Sequence, residues 1–159
     1  NQYEIVSRLE PFFQNGQDIL AIVLSSGISG TYSAFVKAGE ELMEKYPGRK
    51  MITVDTLRYS SAIGLLCIYA SLKRNEGKSI EDNAAWCEEN KRCIHQAGIL
   101  DDLKFLARNG KITGFKAFMG TMVGVKPIAD FSNESGQPAP LGNVRGYKKA
   151  YKVIAVCQI

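Results

Sequence analysis

Four hydroxyl residues, Ser25, Ser26, Ser29 and Thr31, crowd into seven positions with Gly27 and Gly30 between them. A hydroxyl can donate to an anionic oxygen, and glycine permits backbone conformations and close approaches that a Cβ blocks. The segment LSSGISGTYSA, residues 24–34, follows the apolar run ILAIVL and precedes a helix-like stretch. Open α/β sheets take their ligands at such a place, where a buried strand turns into a helix N-terminus. Unused N–H groups and the helix dipole there favour an anion. The chemistry expected is therefore recognition of a carboxylate or phosphate by Ser26, Ser29, Gly30 and Thr31, with Ile28 as an apolar contact in the same turn. The plainer alternative, that the segment only caps a helix, calls for one hydroxyl rather than four.

Other chemistries fit less well. A phosphate-binding loop of the Gly-Lys-Ser/Thr kind needs a lysine that this turn lacks. Gly27-Ile28-Ser29-Gly30 is one residue short of the Gly-x-Ser-x-Gly elbow, and the single histidine, His95, lies in a strand-like apolar context, so serine catalysis is not expected. Cys67, Cys87, Cys93 and Cys157 form no CxxC pair and have no histidine at ligand spacing, which reads as reduced thiols and no metal site. No run approaches the length needed to span a bilayer, and NQYEIVSRL at the start has neither a basic end nor an apolar signal core. A cytoplasmic protein is expected.

Composition is that of a globular chain, 45% hydrophobic over 159 residues. The net charge of +4 is unevenly placed: residues 1–100 carry 11 Lys and Arg against 12 Asp and Glu, and the remainder 9 against 4. The basic excess of the last third suits either an anionic partner or ordinary solvated lysines. With no RGG, zinc-finger or aromatic-interleaved basic run, nucleic acid is not expected.

The elements that must position the turn follow from hydrophobic periodicity. Ile5, Val6, Leu9, Phe12 and Phe13 recur at helical spacing over 4–13. ILAIVL, residues 19–24, is an apolar run without polar alternation, as in a parallel strand buried on both faces, and KMITVD, residues 50–55, reads as another short buried strand. Helices are expected over 32–45 and 60–75, giving strand, helix, strand, helix, the order of an α/β sheet with right-handed crossovers. The second strand ends at Asp55, so its loop, TLRYSSAIG, should meet the serine turn at one sheet edge, with Asp55 as a brace. Beyond an expected boundary at 75–78, a helix capped by Ser79 runs to about Arg92, CIHQAGIL is strand-like, and helices are expected over 101–110 and 115–124. VKPIADFSNESGQPAPL reads as a hairpin and GYKKAYKVIAVC as a last helix. A sheet with two strands leaves edges unpaired, so the chain is expected to be the middle of a longer protein.

ILAIVLSSGISGTYSA, ITVDTLRYSSAIGLL, LDDLKFLARNGKI, VGVKPI and GNVRGYKKA, in this order and spacing, resemble the DegV family across nearly the whole chain. The resemblance implies a DegV-like two-domain fold truncated at both ends, with a parallel-sheet α/β first domain (residues 1–76 here) and an α+β second domain (residues 77–159). It implies a bacterial carrier, not an enzyme, that buries the acyl chain of a long-chain fatty acid and uses no cofactor. Ser29 matches the family serine that contacts the carboxylate. A Thr-Ser-Gln stretch and a His-containing glycine-rich segment that members also use are not in this chain. Where members commonly have Gly-Arg, this sequence has Gly110-Lys111, which keeps the charge and loses the bidentate fork. Arg145 matches a family arginine. Some members present the fatty acid to a dihydroxyacetone-kinase-like fatty acid kinase subunit that makes acyl phosphate, and Arg145, Lys111, Lys148 and Lys149 would meet such a partner or its phosphate. Ile28, Phe115, Phe118, Met119, Met122 and Val123 are tunnel or core candidates. The rival readings are an enzyme or binding domain acting on a phosphorylated small molecule at the same turn, and an interaction domain without ligand.

Overall fold

The computed structural model describes residues 1–101 and 124–156. These fall into two compact units, Asn1–Ile94 and His95–Ile159.

In the first unit, α1 (Gln2–Gln14) leads into β1 (Ile19–Val23), α2 (Thr31–Lys45), β2 (Met51–Asp55), α3 (Ser61–Asn75) and α4 (Ile80–Asn90). Strands β1 and β2 are parallel, paired from Ile19 opposite Met51 to Val23 opposite Asp55. Alternation along each strand then sends side chains to opposite faces. Ala21, Val23 and Met51 pack with Phe13 and Leu42 beneath α1 and α2, while Leu20, Ile22, Ile52 and Val54 pack with Leu66, Ala70, Ala84 and Cys87 beneath α3 and α4. Both faces are covered, as the unbroken apolar runs require. At Gly39 on α2 a Cβ would stand 3.2 Å from the Met51 sulfur, so the glycine lets this helix settle on the sheet.

The boundary expected at 75–78 falls inside this unit. α4 shares the core through Ala84 and Cys87, and the Asn83 side chain donates to the Ala70 carbonyl at 2.8 Å. Contacts divide the chain only after the 3-10 turn Lys91–Cys93, between Ile94 and His95. Ser79 caps α4 as expected, its Oγ accepting the Asp82 N–H at 3.0 Å.

The second unit holds β3 (Gly98–Ile99), β4 (Val125–Phe131), β5 (Pro138–Arg145) and α5 (Tyr147–Val156), with an antiparallel order β3-β4-β5. The hairpin appears where expected, and its turn closes through Ser132, whose Oγ accepts the N–H groups of Glu134 and Ser135 at 3.2 Å. The run CIHQAGIL is strand only at Gly98 and Ile99. Cys93 ends the 3-10 turn, and the Asp130 side chain takes the Gln96 N–H and the His95 ring, replacing ladder bonds there. The helices expected over 101–110 and 115–124 lie outside the described residues except at their margins. At their margin, Asp101 receives the Lys126 ammonium and the Tyr147 hydroxyl. Phe115, Phe118, Met119, Met122 and Val123 also lie outside.

Candidate functional site

Both loops at the carboxyl end of the parallel strands are locked to each other. Thr56 closes the end of β1, its N–H and Oγ donating to the Val23 carbonyl at 3.1 and 2.8 Å. Ser25 is fully buried and organises the turn: its N–H reaches the Arg58 carbonyl at 3.1 Å, its Oγ accepts the Gly27 N–H at 3.1 Å, and its carbonyl accepts from Ile28 and Ser29. Asp55 is the brace expected of it. One carboxylate oxygen accepts the N–H groups of Ser26 and Leu57, each at 3.1 Å, so a single side chain joins the two loops.

The outer part of the turn is differently employed. Ser29 Oγ and Thr31 Oγ are 2.8 Å apart, and the Thr31 N–H reaches Ser29 Oγ at 3.3 Å. When Thr31 donates to Ser29, the Ser29 hydroxyl proton is left to point outward. Gly30 occupies the N-cap of α2 without a side-chain cap. Among the described residues no acceptor engages the N–H groups of Gly30, Tyr32 and Ser33. Three unused donors and a 15-residue helix dipole therefore face outward beside that hydroxyl. Donors so placed at a helix N-terminus are of the kind that can receive an anionic oxygen.

Two details depart from the sequence reading. Gly30 has φ −70°, and a Cβ there would meet nothing within 4 Å, so its backbone does not demand glycine. Positive φ falls instead on Leu57 (54°) and Ser60 (51°) in the β2–α3 loop. Ser60 is exposed, with ψ −121°, and caps α3 without a side-chain bond. Ser26 is also exposed, but its N–H is already spent on Asp55. Ile28 is half-buried on the turn.

Sequence reasoning missed Arg58, 1% exposed behind the same loops. Polar TLRYSS offered no pattern by which to find it. Lys91 lies nearby, its ammonium donating to the Asp55 carbonyl at 2.8 Å and pairing with Glu88 at 2.5 Å.

Of the basic residues expected to meet a partner, Arg145 ends β5 and Lys148 and Lys149 begin α5, all exposed on the second unit. Lys111 lies outside the described residues. His95 is held by Asp130, with Nδ1 2.9 Å from the carboxylate. Burial pushes the Asp130 carboxyl up, but hydrogen bonds from His95 and from the Phe131 and Gln96 N–H groups outweigh it and hold the carboxyl below its ordinary range. Among the described residues no group of three His, Cys, Asp or Glu is placed to hold a metal ion, and no helix is long and apolar enough to cross a membrane. A cleft of about 330 Å³ opens against β1, α3 and the start of α4, lined by Leu20, Ile22, Cys67, Arg74 and Asn83 among others. None of the turn residues lines it, so the turn's chemistry and this cleft are separate matters.

The model of the family described as "Uncharacterised protein, DegV family COG1307" matches residues 1–158. A DegV domain-containing protein of Clostridium perfringens is 34% identical over 154 residues, which are 97% of this chain and 53% of that protein. Among solved structures, DegV of Bacillus subtilis, a fatty acid binding protein, aligns with TM-score 0.79 and 30% identity over 99% of this chain and 54% of its own. A fatty-acid-binding DegV family protein of Thermus thermophilus aligns with TM-score 0.77 and 28% identity, again over 99% and 54%. The chain spans about half the length of these relatives. By its sequence and by both halves of its fold, this chain belongs to the DegV family.

Proposed function

We propose that the longer protein is a carrier that holds a long-chain fatty acid, with the carboxylate at the N-terminus of α2 and the acyl chain buried. It presents that carboxylate to a kinase subunit for conversion to acyl phosphate. The observation that carries the head-group assignment is the set of unused donors, the N–H groups of Gly30, Tyr32 and Ser33, beside the Ser29–Thr31 hydroxyl pair. Relatives of similar fold that bind fatty acids support the choice of ligand class. The turn carries no lysine or arginine, which suits a singly charged carboxylate better than a phosphate dianion. Arg145, Lys148 and Lys149, basic and exposed on the second unit, are the residues assigned to the acidic, nucleotide-bearing partner.

Energetics divide the labour. Each buried methylene contributes about 0.8 kcal/mol, so a long tail supplies on the order of 10 kcal/mol gross, against roughly 0.5–3 kcal/mol for each head-group bond. The tail sets affinity and the turn sets orientation. The test is native purification of the longer protein with lipid mass spectrometry of what accompanies it, then Ser29→Ala in a reconstituted acyl phosphate assay. A stoichiometric fatty acid is expected, together with a modest loss of affinity and a larger loss of acyl phosphate formation in the variant. A protein that stays empty after exposure to a fatty acid panel, or a variant unchanged in both readouts, refutes the reading.

A further inference from the structure

A buried arginine behind an anion-binding turn is an expensive choice for packing alone, since a cation loses far more hydration than an apolar side chain of similar size. Arg58 is placed where it does two things at once. Through its main chain it holds the turn, its carbonyl accepting the Ser25 N–H at 3.1 Å and its N–H donating to the Thr56 hydroxyl oxygen at 3.1 Å. Through its side chain it holds the far end of the unit: among its hydrogen bonds, Nε donates to the Ile94 carbonyl at 2.5 Å, Nη2 to the Arg92 carbonyl at 3.4 Å and Nη1 to the Leu57 carbonyl at 3.1 Å. Three nitrogens of one planar fork reach three carbonyls, which a lysine cannot reproduce. Lys91 adds a second tie from the same segment, onto the carbonyl of the bracing Asp55.

From this geometry we infer that Arg58 is the positioning residue of the anion site. Buried behind the turn, it acts through the loops. It ties the β2–α3 loop to the segment Arg92–Ile94, and by its own carbonyl it fixes Ser25, the residue around which the turn folds. The outward donors of Gly30, Tyr32 and Ser33 then stand where they do because the turn cannot rock on the end of β1. The strain at Leu57, φ 54°, sits immediately before Arg58 and is held by the same ties. The inference rests on the carboxylate reading above and assigns within it the residue that makes the turn rigid.

The experiment compares, in the longer protein, binding of a long-chain fatty acid with binding of the fatty alcohol of equal length, which has the same tail and no carboxylate. The ratio of the two affinities isolates the head-group term. Arg58→Lys and Arg58→Gln are expected to weaken the acid about tenfold while changing the alcohol less than about threefold, collapsing the ratio. Ser29→Ala serves as the comparison that lowers the ratio by direct loss of a donor. Equal weakening of acid and alcohol would make Arg58 a residue of the fold only and overturn the inference, as would an unchanged ratio in a folded Arg58→Lys protein. Failure of both variants to fold counts against it in the same way. If the unsubstituted protein does not prefer the acid, the carboxylate reading itself falls; a preference retained in Arg58→Lys removes the Arg58 role alone.

Discussion

Removing the Asp55 carboxylate should loosen both site loops, and the structure sets the size of the effect. Its Oδ1 accepts two backbone N–H groups from two loops, Ser26 and Leu57, each at 3.1 Å. A hydrogen bond to a charged group nets about 1.5–3 kcal/mol, so the pair has an upper value of roughly 3–6. Two corrections lower it. Ser26 is exposed, so water replaces the lost acceptor there, whereas Leu57 is buried and its N–H is left without one. Leu57 is also held at φ 54°, and freeing the loop releases part of a strain of order 1–3 kcal/mol. Asp55→Ala is therefore expected to destabilise the first unit by about 2–3 kcal/mol. Asp55→Asn, which keeps an acceptor and loses the charge, should cost about 1 kcal/mol. The assay is urea unfolding followed by fluorescence of Trp86, the single tryptophan, which packs against the Val54 and Cys87 core of this unit. An Asp55→Ala protein within about 0.5 kcal/mol of the parent would refute the brace, and an Asn variant as damaged as the Ala variant would show that charge, rather than the acceptor position, does the work.

Ser60 is exposed at φ 51° and ψ −121°, a region in which glycine is at ease, so Ser60→Gly should raise stability by roughly 1 kcal/mol in the same assay; a loss of stability would show that the conformation is not strained. Asp130 is held below its ordinary value of 3.8, so its contribution is complete above that value and lost as pH falls through the lower folded value; its carboxyl carbon shift should titrate with a midpoint below 3.8, and a midpoint at or above it would contradict the His95 pairing. Among the described residues β1 has no strand on its outer side, and α1 shares a face with α2. By the right-handed crossover rule a strand feeding α1 falls on that outer side, over the cleft with Cys67 and the unpartnered Asn83 Oδ1. Maleimide labelling of Cys67, exposed here, should be slower in the longer protein than in this chain, and equal rates would sink the placement.

Elements with a repeating pattern, and a few single side chains at strand or helix ends, were legible in the sequence; most features made by residues distant in sequence were not. Val6, Leu9 and Phe13 recur along α1 and pack on one core, and the apolar runs of β1 and β2 matched a sheet covered on both faces. Ser79 capped its helix because a hydroxyl before a charged first turn has one good use. CIHQAGIL failed as a full strand because Asp130, distant in sequence, captures the backbone at Gln96. A Glu-Gly-Lys break between two helices looks like a linker, while the contacts of Ala84 and Cys87 that keep α4 with the core of the first unit leave no local mark. At the site, the hydroxyl cluster was readable and its division was not. Ser25 turns inward as the pivot of the loop, Ser29 and Thr31 face each other, and Ser26 is exposed with its N–H tied to Asp55.

That division bears on how such a site selects its ligand. Under the proposed reading, its anion preference would come from main-chain N–H groups and a hydroxyl pair, since the turn holds no lysine or arginine. Backbone donors held by Asp55, Thr56 and Arg58 cannot follow a ligand as a flexible ammonium would, so their strength depends on the geometry being kept. A site built in this way binds its anion weakly when loosened, without any change in net charge. The residues whose loss most alters head-group recognition are then expected to be those behind the turn. Of these Asp55 was legible at the end of its strand, whereas Arg58, buried in a polar loop, reads in the sequence like an ordinary surface residue.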